Sequence, residues 1–409
     1  MPDKLPMDDL PVIPVAQGLR FLEGIRVVDL TTSIAGPYAT MLLADLGAEV
    51  IKVERPEGDD ARAWGPPFLD GESLWFASVN RGKKSIPLDL TDAEGKDTLL
   101  KLVRSADVFV TNQPLRVQKK LGLDYEAISA IKPDIVFTSI TGFGLSGERS
   151  DLTCYDLIAE GYSGIMDLTG TADEDPQKVG TPAADMLSGQ DAAMSTIAAL
   201  FDRQKSGLGH LVDVALLDSM IRFLAPRIMS YLGSGDVPRR SGGTDSVIAV
   251  YQAFDTADDP ITLGLGTNAI WQRFWTALGT PEFAGRDGFA SNAERRKNRD
   301  EIVAEIQKRL LKKDRLEWLK IFRAARIPAG PINRVDEVSA DPALQERGLI
   351  FALKDGDRVV PQVGLGVQFD GRYAVPCGAP PLLGEHTEAI LDALQTGAAE
   401  PTDKESNVS

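Results

Sequence analysis

Apolar segments of two kinds alternate along the first 144 residues. Short continuous apolar runs predict buried strands, and the longer amphipathic segments between them predict helices. Successive strand–helix–strand units of this length place their strands parallel, with right-handed crossovers. The pattern therefore predicts a doubly wound, Rossmann-like α/β domain. The predicted strands cover 24–30, 49–55, 83–90, 107–112 and 134–144, and the predicted helices cover 37–48, 91–106 and 125–133.

Two helices carry signals at their ends. Thr91 and Glu94 have the spacing of a capping box, which predicts that the helix over 91–106 starts at Thr91. A second helix is predicted after Asp185, because an apolar stripe at helical spacing runs on to Gly207, a typical stop residue. The stripe consists of Ala193, Ile197, Leu200 and Phe201.

The domain organisation is predicted from changes in composition. A turn-rich connector over 233–246 separates the first region from a hairpin at 247–266 and amphipathic helices at 269–279, 300–313 and 315–327. Strand-like segments over 358–369 and a helix over 385–394 are expected to return to the first domain. The expected parts are an extension (1–20), a large α/β domain (21–232 with 346–395), a smaller α+β domain with its connector (233–345) and a polar tail (396–409).

Charge and composition exclude several function classes. The formal charge of −16 argues against nucleic acid or an anionic membrane as the main partner. Two cysteines and two histidines, all far apart, disfavour zinc, although a magnesium site made of carboxylates alone stays open. Prolines and acids interrupt the first 20 residues, so no export signal is predicted and a cytoplasmic location is expected.

Glycines and cations supply two candidate sites. The segment GFGLSG (142–147) fits a dinucleotide-binding motif, but no helix opens directly after it, which favours a plain glycine turn over a nicotinamide site. Four cations lie at or after the ends of predicted strands, where α/β folds bind ligands, and they indicate either a phosphate-bearing ligand or solvated surface charge. These cations are Arg55, Arg116, Lys119 and Lys120.

Several long segments resemble the class III CoA-transferases, the family of formyl-CoA transferase and carnitine CoA-transferase. They include LEGIRVVDLTTSIAGPYATMLLADLGAEVIKVERPEGDDAR, SVNRGKKSIPLDL, YDLIAEGYSGIMDLTG, ADMLSGQDAA and PPLLGEHTEAIL, in this order, and the similarity covers about residues 22–395. The resemblance implies an interlocked, ring-like homodimer. It also implies that CoA and acyl-CoA are substrates, with no tightly bound cofactor and no metal.

The resemblance places the catalytic nucleophile at Asp185, in AADMLSG. From the residues alone, the better explanation of Asp185 is a cap or pre-cap of the helix that follows. The family's chemistry implies that this carboxylate attacks an acyl-CoA such as succinyl-CoA and forms an aspartyl anhydride. An aspartyl-CoA thioester follows, from which CoA passes to another carboxylic acid. An aspartate carboxylate is anionic at neutral pH and suits covalent catalysis of this kind.

Further site residues carry over from the family less completely. Gly242 and Gly243 stand where the family has a glycine-rich loop that covers the reacting group. Gln113 replaces an aromatic residue near the adenine, and Ile34 replaces a glutamine of the formyl-CoA enzyme, which argues against formate and oxalate. The implied CoA and substrate contacts are Arg55, Lys83 or Lys84, Asn112, Lys120, Ile34, Thr141 and Phe143.

Other functions stay open at this stage. The racemase branch of the superfamily uses a histidine at the position of Tyr155, so α-methylacyl-CoA racemisation is disfavoured. CoA transfer between two carboxylates of one diacid is compatible with the sequence, as is a catalytically inactive CoA-binding scaffold. The identity of the acids cannot be read from any residue type.

Overall fold

The computed structural model describes residues 4–396. Its strands are short and belong to five sheets, of which the largest has six strands. In chain order the strands are β1 (Val12–Pro14), β2 (Arg26–Leu30), β3 (Glu49–Glu54), β4 (Phe68–Leu69), β5 (Glu72–Ser73), β6 (Lys83–Pro87), β7 (Val108–Thr111), β8 (Val136–Thr141), β9 (His210–Ala215), β10 (Tyr251–Phe254), β11 (Ile261–Gly264), β12 (Ala329–Pro331), β13 (Ile350–Asp355), β14 (Arg358–Val363), β15 (Gln368–Phe369) and β16 (Arg372–Tyr373).

The helices range from single turns to one of 24 residues. In chain order they are α1 (Ala35–Asp45), α2 (Leu74–Ser78), α3 (Ala93–Arg104), α4 (Leu115–Leu121), α5 (Tyr125–Ile131), α6 (Asp156–Ser163), α7 (Ile165–Leu168), α8 (Ala183–Ser206), α9 (Leu216–Phe223), α10 (Ala225–Ser234), α11 (Asn268–Ala277), α12 (Pro281–Ala284), α13 (Asn292–Lys297), α14 (Arg299–Leu310), α15 (Arg315–Ala324), α16 (Val335–Ser339), α17 (Pro342–Glu346) and α18 (Thr387–Gln395). Two short 3-10 helices cover Pro6–Asp9 and Asp60–Ala63.

The six-stranded sheet has the order β6-β3-β2-β7-β8-β9, and every neighbouring pair in it is parallel. This is the doubly wound order, in which the chain leaves β2 in one direction and β7 in the other. The four central strands, β3, β2, β7 and β8, are buried over almost their whole length because both faces of the sheet are covered. The predicted parallel α/β architecture is confirmed.

One face of the sheet packs against α3, α5 and the C-terminal helix α18. Val28, Phe109 and Phe137 of the sheet form a buried cluster with Leu99 of α3 and Ile390 of α18. The return of the predicted C-terminal helix to the first region is therefore confirmed. The polar tail predicted from residue 396 lies almost wholly outside the described residues.

The start of α3 differs from the prediction. The residue that caps this helix is Asp92, whose carboxylate accepts a hydrogen bond from the Gly95 N–H at 2.6 Å. Thr91 instead donates its hydroxyl to Asp89. The capping box predicted from Thr91 and Glu94 is wrong, because the Asp92 carboxylate one residue later takes the cap while the Thr91 hydroxyl is engaged by Asp89.

The chain divides into two compact units. Of the described residues, the larger comprises 4–163, 179–225 and 339–396, and the smaller comprises 164–178 and 226–338. The smaller unit thus contains the segment 164–178, which the sequence analysis assigns to the large domain. Its core is aromatic, with Trp271, Trp275 and Phe274 fully buried beside the antiparallel strands β10, β11 and β12. The predicted hairpin in this region is confirmed.

Candidate active site

A cavity of about 510 Å³ lies at the carboxyl edge of the parallel sheet in the larger unit. Residues that follow four different strands form its wall, so the cavity is a product of the strand order. It lies beside the point where β2 and β7 diverge, which is where open α/β sheets bind ligands. Residues of the wall include Leu30, Thr32, Arg55, Leu90, Gln113 and Leu121.

Side-chain hydrogen bonds hold three residues of the turn between β2 and α1, namely Thr31, Thr32 and Ser33. Asp29 accepts hydrogen bonds from the Thr31 N–H and hydroxyl. Asn112 binds Thr32 twice, accepting from its N–H at 3.0 Å and donating to its carbonyl at 2.7 Å. Asp59 accepts from the Ser33 N–H at 3.0 Å. These contacts fix Ser33 at a φ of +68°, a conformation that non-glycine residues rarely adopt.

A buried ionic network supports this turn. Lys52 donates to the carboxylate of Asp59 and to the carbonyl of Thr31, both at 2.8 Å, and its side chain is completely buried. Burial opposes the charge on Lys52, yet Asp59 and Asp29 raise its pKa above the ordinary value. The lysine therefore stays charged and ties the turn to β3.

Asp185 is the third residue of α8, and this helix packs against α1. A Cβ on Gly189, one turn further along α8, would lie only 2.6 Å from the carbonyl oxygen of Ala35. Both helices run away from the carboxyl edge, since α1 follows β2 directly and α8 ends just before β9. Residues one turn apart share a helix face, so Asp185 faces the turn that precedes α1, at the carboxyl edge.

The start of α8 is capped from outside the helix. The Asp156 carboxylate accepts hydrogen bonds from the Ala184 N–H at 2.8 Å and the Asp185 N–H at 3.2 Å. The residue before the helix, Pro182, offers no side-chain cap. Asp185 is thus inside the first helical turn, and the cap that the sequence allowed for Asp185 belongs to Asp156.

The electrostatics of Asp185 are unusual for an aspartate. Burial, and then the nearby Asp156 carboxylate, raise the pKa of Asp185 to about 7. Burial, Asp185 and Asp156 likewise raise the pKa of the Cys154 thiol to about 11. A buried carboxylate whose pKa is raised towards neutral pH is typical of functional sites.

Three implied CoA contacts lie at or near the cavity. Arg55 lines it and forms an exposed ion pair with Asp60 at 2.6 Å. Asn112 also has a structural role, because its side-chain oxygen and nitrogen both hydrogen-bond to the backbone of Thr32. Lys120 is exposed on the last turn of α4, next to Leu121 of the cavity wall.

Lys83 and Lys84 do not line this cavity, and the CoA contact implied for one of them stays a prediction. Lys83 is buried and donates to Asp29, to Asn80 and to the carbonyl of Pro37. Burial lowers its pKa to about 8 despite these partners. Lys84 lies near the start of β6, towards the amino edge of the sheet, and pairs with Glu49 of β3. Neither lysine is at the carboxyl edge, because both lie at the start of their strand.

The remaining candidates lie around the ends of β2 and β8. Ile34 caps α1 and is buried at 3% exposure, so it contributes an apolar surface beside the turn. Thr141 ends β8 and accepts a hydrogen bond from the Gly144 N–H. Phe143 packs edge-on against Tyr162 with ring centroids 5.1 Å apart.

Gly242 and Gly243 belong to the smaller unit. Gly242 has a φ of +61° and donates its N–H to the carbonyl of Gly170 at 2.8 Å. Both glycines are exposed and lie in an irregular segment between α10 and β10. This local structure is compatible with a loop, and their role at the site stays a prediction.

Sequence reasoning missed Asp156, Asp59 and Lys52 as site residues. All three act through long-range contacts that no spacing rule reveals. The one available signal for Asp156 is its position in CYDLIA, the segment that aligns with a catalytic segment of the racemase branch. For Lys52, a lysine inside the apolar run VIKVE indicates burial with a partner, because an unpaired charge there is costly.

The fold and the cavity define an α/β protein with its ligand site at the switch point, and comparisons specify the class. The model described as CoA-transferase family III matches residues 22–387. A succinate–glutarate CoA-transferase of Agrobacterium fabrum is 40% identical over 386 residues, 92% of this chain and 96% of the relative. A succinyl-CoA:glutarate CoA-transferase of Mus musculus is 39% identical over 374 residues, 90% and 85% of the two chains.

A solved structure agrees with these sequence matches. A CaiB/BaiF family protein from Brucella suis has a TM-score of 0.82 and 38% identity, and the match covers 92% of this chain and 100% of that one. The chain belongs to CoA-transferase family III. It is an enzyme that acts on CoA thioesters, and it transfers CoA to a carboxylic acid.

Across residues 4–396, no three His, Cys, Asp or Glu side chains are grouped so that they could hold a metal ion. Over the same residues, no helix combines the length and the apolar character needed to cross a bilayer.

Proposed function

We propose that this enzyme transfers CoA from succinyl-CoA to another carboxylic acid, with Asp185 as the covalent nucleophile. The Asp185 carboxylate attacks the thioester carbonyl, the C–S bond breaks and CoA leaves as thiolate, giving an aspartyl anhydride. The thiolate then attacks the aspartyl carbonyl and releases the donor acid. The acceptor carboxylate attacks the aspartyl-CoA thioester, and the same steps in reverse give the new acyl-CoA.

The observation that carries this proposal is the position of Asp185 at the carboxyl edge, half-buried at the start of α8. Burial limits the access of water, which would otherwise hydrolyse the anhydride and the thioester. The loop with Gly242 and Gly243 is proposed to complete this exclusion as a mobile cover.

The substrate class is proposed from the relatives. Their names specify succinate or succinyl-CoA with glutarate, and succinyl-CoA with mesaconate for a relative from Haloarcula hispanica. A C4 or C5 dicarboxylic acid is therefore the proposed acceptor. The interlocked homodimer, the cytoplasmic location and the predicted domain boundaries are part of the same proposal.

The histidines disfavour the racemase alternative, which needs a second base beside the aspartate. The chain has two histidines. His210 pairs with Asp202. Asp202 lies about 25 Å from Asp185 along α8, because a helix rises 1.5 Å per residue. The other, His386, accepts a hydrogen bond from the Ser85 N–H on β6. Tyr155 occupies the histidine position of the racemases.

Chemical trapping tests the proposal. Enzyme turning over succinyl-CoA and glutarate is quenched with hydroxylamine, digested and analysed by mass spectrometry. We expect the hydroxamate on the peptide that contains Asp185, and only when acyl-CoA is present. A label on another carboxylate, or no label during measurable turnover, would contradict the mechanism. A reaction confined to one diacid, with no exchange into added acceptor, would identify the intramolecular alternative.

Gln113 offers a second test, at the cavity. We expect Gln113→Phe to lower the KM for succinyl-CoA about fivefold, because an aromatic ring that stacks on a base contributes about 1 kcal/mol. The contacts that fix Gln113 to its neighbours use its backbone N–H and carbonyl, so the substitution leaves them in place.

The control for Gln113→Phe is a truncated substrate. Succinyl-pantetheine carries the same thioester but no adenine, so its KM should be the same for both enzymes. An equal change for the two substrates would show that residue 113 does not contact the adenosine end.

A further inference from the structure

The geometry points to Asp156 as a positioning residue for this reaction, which holds the first turn of α8 and places a second negative charge beside Asp185. The inference rests on the proposed role of Asp185 and adds a residue that the family resemblance does not single out. Asp156 itself contacts no reacting atom. It acts through the nucleophile.

Two hydrogen bonds carry the structural half of this inference. Asp156 Oδ1 accepts from the N–H of Ala184 and from the N–H of Asp185 itself, at 2.8 and 3.2 Å. These N–H groups have no partner within the helix, because the first turn of any helix lacks them. Asp156 therefore fixes the backbone of the nucleophile directly.

The electrostatic half follows from the same arrangement. A helix N-terminus normally stabilises a negative charge in its first turn. Here the Asp156 carboxylate already occupies the N–H groups, and its charge repels the charge of Asp185. Burial and this repulsion keep the pKa of Asp185 near 7, so that the carboxylate is a stronger base and a better nucleophile than an ordinary aspartate.

The other groups around Asp185 do not replace this effect. Cys154 lies in the preceding loop, and its thiol is neutral at pH 7 because its pKa is about 11. Tyr38 faces α8 from α1, and burial raises its pKa above the usual value. Further along α8, Asp191 is engaged by Arg222 and Ser219 of α9. Asp156 is thus the charged neighbour that acts on Asp185.

Asp156→Asn separates the structural role of Asp156 from its electrostatic role. Asparagine keeps an oxygen that accepts hydrogen bonds from the two N–H groups, but it carries no charge. We expect the acid limb of kcat/KM, measured from pH 5.5 to 9 with succinyl-CoA and glutarate, to shift down by about one pH unit. We then compare the two enzymes at pH 6, each as a fraction of its own plateau activity. This fraction should be about fivefold larger for the variant than for the wild type. Asp156→Ala removes both functions and should also lower the plateau.

The matched control is Asp124→Asn. Asp124 also caps a helix, accepting from the Ala127 N–H at 3.1 Å, but it does so at α5. Its pH profile should coincide with the wild type. An acid limb of Asp156→Asn that also coincides with the wild type overturns the inference, whatever happens to the plateau.

A readout without turnover covers the case of an inactive variant. In a Cys377→Ser background, Cys154 is the only thiol of the chain. Loss of the Asp156 charge should lower the pKa of this thiol and speed its alkylation by iodoacetamide about threefold at pH 8.5. An unchanged rate in an inactive variant overturns the inference. Because this measurement needs no catalysis, it stands apart from the trapping test of Asp185.

Discussion

Replacing Asp185 with alanine is expected to lower kcat for CoA transfer by at least about four orders of magnitude. The reason is chemical, since removal of a covalent nucleophile leaves no route through an anhydride, and acyl exchange by direct collision is far slower. Binding of CoA should persist, because the cavity wall is formed by residues after β2, β3, β6 and β7. Initial-rate kinetics and calorimetric titration with CoA measure the two effects.

Two further variants make the Asp185 result specific. Asp185→Asn keeps the shape of the side chain and should be as inactive as the alanine variant. Asp202→Ala removes an exposed aspartate of the same helix and should stay within twofold of the wild type. Turnover within tenfold of the wild type for Asp185→Ala would refute the covalent mechanism and leave only a binding role for the site.

The sheet could be predicted because its strands are buried on both faces. Val27 and Val28 of β2 and Val50 of β3 are almost completely buried, and such runs are visible without any alignment. Local end signals were less dependable. The cap of α3 is Asp92 and not the predicted Thr91. Several polar residues compete for the first free N–H groups of a helix, and their spacing does not decide between them.

The site was only partly predictable, for a physical reason. Asp185 could be named from a motif, but its environment depends on Asp156, 29 residues earlier in the chain. The surroundings of the two lysines implied as CoA contacts could not be predicted either. Lys83 is buried and donates to three acceptors, whereas Lys84 pairs with Glu49 of the neighbouring strand. The direction of a strand decides at which edge of the sheet its first and last residues lie.

Lys52→Met is expected to destabilise the larger unit by about 3 to 5 kcal/mol, the range for breaking a buried ion pair by removal of one partner. Methionine fills most of the volume of the lysine stem, so lost packing contributes little. The cost arises because Asp59 stays buried without its cation, and because the Thr31 carbonyl loses a donor. Denaturant unfolding followed by fluorescence measures the change, and activity should fall as the turn before α1 loosens.

Two comparisons decide whether the buried charge is the cause. Adding Asp59→Asn should recover part of the lost stability, since asparagine still offers an oxygen to the Ser33 and Ala61 N–H groups without a buried charge. Lys101→Met breaks an exposed pair with Asp97 and should cost less than about 0.5 kcal/mol. If Lys52→Met were no more costly than Lys101→Met, the network would not hold the turn, and the preorganisation of this edge of the site would need another source.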